Sequence, residues 1–123
     1  MDQSTVDAML SWQSTIRLER VADKLRKRGF TVECCANREE ARAKVVALAA
    51  PAQTIGFGGS MSVACLNLSP EFRDAGKELF DHGAPDLSPE ARDEMRRRQL
   101  TCDCFLSSVN ALTDDGIIVN VDG

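Results

Sequence analysis

Apolar and polar positions change period several times along this chain, and the changes mark its elements. Leu18, Val21, Ala22 and Leu25 recur at i, i+3, i+4 and i+7, which predicts the core face of a helix over residues 7–28. Met9, Trp12 and Ile16 keep helical spacing too, but at ~100° per residue they lie roughly opposite that face. Two readings follow. The helix bends near Ser14 and Thr15, folding Trp12 onto its own core, or its first half packs on a second subunit. Gly29 is placed as a C-terminal cap. Residues 30–35 alternate weakly and predict a strand. Asn37 with Glu40 resembles a capping box, and Ala41, Val45, Leu48 and Ala49 give the helix after it one apolar face, stopped by Pro51.

Thr54 to Phe57 reads as a short buried strand that runs into glycines. Ser60 is placed to cap a short helix over residues 60–67. A helical turn over 71–75 ends at Gly76, and 77–81 reads as a strand. Ser88, Pro89 and Glu90 open a surface helix to about Gln99, on which only Ala91 and Met95 are apolar. Residues 104–112 read as a strand, Asp115-Gly116 as a hairpin turn, and 117–121 as the return strand. The order predicts an α/β fold: a mostly parallel sheet flanked by helices, with a C-terminal antiparallel β-hairpin. One domain over residues 1–123 is expected. The last strand ends two residues before Gly123 with nothing after it to cover its edge, so the domain is expected to be truncated at its C-terminal end and prone to self-association.

Composition narrows the function classes. The net charge is −4 and 28% of residues are charged, so no electrostatic footprint points to nucleic acid. The Arg96-Arg97-Arg98 run falls at a helix C-terminus, where cations suit the dipole. No apolar run approaches the ~20 residues of a membrane span, and the first residues carry no leader pattern, so a cytoplasmic protein is expected. Five cysteines, without a C-x-x-C pair or a nearby histidine, read as buried free thiols rather than metal ligands, and no metal site is expected. His82, the single histidine, reads as a surface loop residue.

The stretch Gly56-Phe57-Gly58-Gly59-Ser60-Met61-Ser62 is the main candidate for chemistry. Glycines at the end of a strand allow positive φ and close approach, and free amides at a helix start attract an anion. It is no dinucleotide fingerprint, because Met61 stands where a third glycine is needed, and no P-loop, because no Gly-Lys-Ser/Thr follows. The hairpin carries polar groups on strands that otherwise look buried: Asn110, Thr113, Asp115, Asn120 and Asp122. A two-residue turn would point Asn110 and Asn120 to opposite faces. A three-residue loop with Gly116 in a left-handed bulge would pair Thr113 with Ile117 and set Asn110 opposite Asn120.

The glycine stretch resembles the G-x-G-G-S-M-T motif of the lactate-utilisation (LUD) domain family, with Ser62 keeping the hydroxyl of the usual Thr. Residues 109–116 resemble its N-A-I-T-E-D-G motif, and residues 119–123 the V-N-x-D-G that follows, in the family's order. The resemblance covers the whole chain but only the N-terminal half of the family domain. It implies a fold similar to the ribose-phosphate isomerase, glucosamine-phosphate deaminase and CoA-transferase group. It also implies a part in L-lactate oxidation to pyruvate, beside iron–sulfur and oxidoreductase partners. The expected ligand is a small anionic metabolite or a phosphorylated one. Gly58, Gly59 and Ser60 would donate amides, Ser60 and Ser62 hydroxyls, with Gly56 and Met61 framing the loop and the hairpin residues forming the other wall. A homo-oligomer is expected; catalytic residues and cofactor stay unassigned. The alternatives are a non-catalytic assembly subunit and a CoA-transferase-like enzyme.

Overall fold

The computed structural model describes residues 1–121. Its contacts divide the chain into two units, one of residues 36–108 and one made of Met1–Cys35 with the hairpin segment from Val109.

The first of these units is an α/β layer built on β1 (Thr54–Phe57), with β2 (Glu78–Asp81) and β3 (Cys104–Leu106) on either side. Both pairings are parallel: Gly56 stands opposite Phe80 in β2 and Phe105 in β3. The side-chain period of two then sorts the sheet. Ile55 and Phe57 belong to a buried cluster with Ala49, Ala52, Leu68 and Phe72. Ala49 comes from α2 (Arg38–Ala49) and Phe72 from α4 (Ser69–Asp74), and Val63 of α3 (Met61–Ala64) packs against them. Gly56, between its two phenylalanines, belongs to the other face, which packs on α5 (Pro89–Gln99). Parallel sheets need both faces covered; here helices flank both, although Phe105 on the α5 face is left exposed.

Local chemistry sets the element ends. Asn37 Oδ1 accepts the Glu40 amide at 2.9 Å, and Glu40 reaches back to the Ala36 amide at 2.8 Å. Ser60 Oγ accepts the Val63 amide, and Ser88 Oγ the Ala91 amide, both at 3.1 Å. Arg42 pairs with Glu71 and donates to the Leu66 carbonyl at 3.0 Å, tying α2 to the chain between α3 and α4. Arg96, Arg97 and Arg98 each meet a carboxylate, on Asp93, Glu94 and Glu78 respectively, as a solvated helix end should.

Asp103 fastens the other end of the sheet. Its Oδ2 accepts the Gln53 and Thr54 amides at 2.9 and 3.0 Å, while its own amide donates to Thr54 Oγ1 at 2.8 Å. The Thr54 amide, then the Gln53 amide, hold this carboxyl below its ordinary value of 3.8. A depressed folded-state pKa stabilises above the unfolded value, and the contribution disappears as pH falls through the folded one. Asp103→Asn should therefore melt lower than the wild type at neutral pH. The gap should close as pH drops below the carboxylate range, which thermal melts at a series of pH values would follow.

In the second unit, α1 (Gln3–Lys27) is unbroken through Ser14 and Thr15 and Trp12 is exposed, so the reading that folds Trp12 onto its own core does not hold. Val21, Ala22 and Leu25 are buried, but Leu18 is exposed, as are Met9, Leu10 and Trp12. The hairpin of β4 (Ala111–Leu112) and β5 (Ile118–Val119) adopts the bulged register: Ala111 faces Val119, Leu112 faces Ile118, and the Thr113 amide bonds the Ile117 carbonyl at 3.0 Å. Gly116 has φ +77, and a Cβ there would sit 2.8 Å from Lys24 Cβ, so this turn needs glycine twice over.

Three expectations are corrected. Residues 30–35 form no strand, because a weak alternation without a paired neighbour does not hold extended backbone in a ladder. The strand expected over 104–112 is interrupted, and its two ends belong to different sheets, so the hairpin is a sheet of its own. Leu48 of α2 is exposed; the inner face runs through Ala41, Arg42, Val45, Val46 and Ala49.

Candidate functional site

The C-terminal ends of β1 and β2 border a hollow of about 330 Å³. It is lined by Phe57, Gly58, Gly59 and Ser60 of the loop, by Val63, Ala64, Asn67, Leu68 and Ser69 of the segment through α3 into α4, and by Asp81 and Gly83 at the end of β2. This is where parallel α/β sheets place ligands, since the loops that follow the strands carry no ladder of their own.

The three glycines of the stretch do different work, and none has a positive φ. Close approach, not left-handed backbone, explains two of them. A Cβ on Gly56 would meet Cys102 Sγ at 2.9 Å and Phe105 at 3.0 Å; one on Gly58 would meet Phe105 and Ser107 Oγ at 3.1 Å. Gly59 has neither reason, for a Cβ there would meet nothing within 4 Å. The amides differ as well. The Gly58 N–H donates to the Leu106 carbonyl at 2.9 Å, so the donor role expected of it is already taken by the sheet. The Gly59 and Ser60 amides bond no other described residue. Ser60 Oγ caps α3, and Met61 is exposed. Among the described residues, Asp81 is the one charged side chain lining the hollow; its Oδ1 accepts the Gly83 amide at 2.9 Å.

The hairpin residues carry their own account within the other unit. Asn110 Oδ1 accepts the Val121 amide at 2.8 Å, and Asn120 Oδ1 accepts the Asn110 amide at 3.3 Å. The two face each other across the strands, as the bulged register requires. Thr113 Oγ1 accepts the Ile117 amide at 3.0 Å, and the Asp115 carbonyl accepts from Arg28 at 3.4 Å. Asp122 lies outside the described residues. The Gly56–Ser62 stretch and this hairpin thus belong to separate units, each with its own bonds.

Sequence reasoning missed Gln99. It is 9% exposed, and its Nε2 lies 2.7 Å from both the Phe57 and the Phe80 carbonyl, bridging β1 and β2 where the strands end. The signal was present: Ala91, Met95 and Gln99 recur every four residues on one face of α5.

The five cysteines are free, as expected, but none is fully buried, and burial pushes the Cys104 thiol up from its ordinary range. No group of three potential metal ligands forms among the described residues. A larger hollow, about 460 Å³, flanks α1 beside Trp12, Ile16 and Val21. Arg17 on its rim is already paired with Asp114 at 3.0 Å.

The parallel layer, with its glycine-rich loop and a hollow at its strand ends, makes this unit an α/β domain with helices on the sheet. The profile of the LUD domain matches residues 18–123, and the chain belongs to that family. This places it among lactate-utilisation-related proteins. No curated protein and no solved structure matches the chain. Among the described residues, no helix is long and apolar enough to cross a membrane.

Proposed function

We propose that the chain serves L-lactate oxidation to pyruvate as one component of a multi-subunit system, beside iron–sulfur or oxidoreductase proteins. We assign its ligand, a small organic anion, to the hollow at the Gly56–Ser62 loop. The observation that carries this is Gly59. Neither its φ nor its packing calls for glycine, yet it borders the hollow beside two amides that bond no other described residue. A ligand that approaches the backbone closely gives that position its reason. The lining also bears on the ligand's charge. Among the described residues it holds the Asp81 carboxylate and no cation, which favours a singly charged carboxylate over a dianionic phosphoryl group.

Gly59→Val tests the reading. It should leave the melting temperature within about 2 °C of the wild type, as surface changes usually do. Titration calorimetry with L-lactate should show binding to the wild type and a loss of about tenfold or more in the variant. Unchanged binding in Gly59→Val would sink the assignment.

The second reading, an assembly subunit docking through α1, is favoured by the exposure of Met9 and Trp12 on one face of that helix. Homo-oligomerisation through the same face belongs with it. The ligand reading leads because its residues specify a chemistry, whereas exposure alone names no occupant.

A further inference from the structure

Asp81 ends β2 on the face that carries the hollow. Phe80 faces α5, where the Arg98 guanidinium lies 4.2 Å over its ring, and Leu79 packs on the buried cluster of the opposite face. The period of two then turns the Asp81 side chain to the cluster side, where it borders the hollow with Val63 and Leu68. In the parallel register Asp81 stands beside Phe57, the residue from which the chain enters Gly58, Gly59 and Ser60. The carboxylate and the loop therefore border one space from neighbouring strand ends. Asp81 Oδ1 accepts the Gly83 amide at 2.9 Å, and Oδ2 meets no donor among the described residues. The Gly59 and Ser60 amides meet no acceptor among them.

The hollow thus offers donors at one strand end and an acceptor at the next, and no cation lines it among the described residues. A ligand with acceptors alone would set a lone pair against Oδ2, whereas a hydroxyl donates to it and forms a charge-assisted bond. We propose that Asp81 is a ligand-contacting residue that selects a small hydroxy acid over the corresponding oxo acid. The ligand's hydroxyl donates to Asp81 Oδ2, across the hollow from the carboxylate that the reading above gives to the loop amides. An ammonium group would also serve Asp81, but it would cancel the negative charge which that reading gives the ligand. The site then holds the reduced member of a hydroxy acid–oxo acid pair more tightly than the oxidised one. The inference rests on the reading above in taking the hollow as the ligand site.

Titration calorimetry of the whole chain with L-lactate and with pyruvate tests it. The wild type should bind L-lactate about tenfold more tightly than pyruvate, the worth of one hydrogen bond to a charged group. Asp81→Asn gives the effect a sign. The Gly83 amide needs an acceptor, so the new side chain keeps Oδ1 on it and turns Nδ2, a donor, to the hollow where Oδ2 stood. That variant should melt as the wild type does, and its preference for L-lactate should vanish or reverse in favour of pyruvate, whose oxo group accepts. Equal binding of the two acids by the wild type, or an unchanged preference in Asp81→Asn, overturns the proposal. If Gly59→Val nonetheless loses both acids, the loop assignment stands without it. A preference that Asp81→Asn abolishes and Gly59→Val leaves intact upholds the proposal and removes the loop from the site. If neither acid binds the wild type, both fall.

Discussion

Phe72→Ala should cost the unit of residues 36–108 about 3–5 kcal/mol, the usual penalty for emptying a fully buried aromatic site. Phe72 is 1% exposed in the cluster with Ile55, Phe57 and Leu68, and its ring stands 6.4 Å from that of Phe57 at 42°. The cavity cannot close easily. It would lie against β1, which is fixed on both edges by parallel pairing. Against a typical stability of about 5–15 kcal/mol the loss is large, and chemical denaturation should show a much lower midpoint at nearly unchanged slope. Phe72→Leu should recover most of it. An alanine variant as stable as the wild type would mean that the cluster is not the core of that unit. The hollow beside Leu68 should deform with the floor beneath it, so a ligand signal should weaken in parallel.

What could be read in the sequence was what neighbouring residues decide among themselves. Asn37, Ser60 and Ser88 cap their helices through their own side chains three residues on, and such chemistry is visible in the letters. The hairpin's bulged register was one of two readings, and the Thr113–Ile117 bond settles it, because a two-residue Asp115-Gly116 turn of type I′ would need positive φ at Asp115 too, and only Gly116 has it. β1 was legible as an apolar run stopped by glycine. What stayed hidden depends on distant partners. Residues 30–35 alternate as a strand does but find no ladder. Leu18 and Leu48 keep core spacing yet lie outside, because a helix buries the face its neighbours meet. The glycines were recognised, but their reasons were not. Gly56 and Gly58 are glycine because of Cys102, Phe105 and Ser107, which lie far along the chain. Gln99 was lost among three arginines, although its spacing from Met95 placed it inward.

Gly56→Val should be the most damaging single change on the α5 face. The position is central in β1, and its side-chain direction is occupied: a Cβ would sit 2.9 Å from Cys102 Sγ, 3.0 Å from the Phe105 ring and 3.2 Å from Gln99 Cγ. Valine suits a strand by propensity, so an open site would gain from it. Here overpacking decides the sign, at about 1–3 kcal/mol or more, because its two methyls extend beyond a Cβ that already lacks room. The relief available is outward movement of Gln99 and Phe105. Moving Gln99 breaks its bonds to the Phe57 and Phe80 carbonyls and leaves two buried acceptors bare, adding about 1–3 kcal/mol for each acceptor that water does not reach. Gly56→Ala should show the same effect in part, and Gly59→Ala almost none, which separates crowding from a general cost of replacing glycine. Denaturant melts of the three variants rank them. The packing requires Gly56→Val to melt lowest, Gly56→Ala next and Gly59→Ala highest, and any other order contradicts it. The His82 ring reports the rest. Once Gln99 is displaced, His82 Nδ1 loses the side-chain partner it has within 3.2 Å, so its resonance should shift most in the variants that melt lowest.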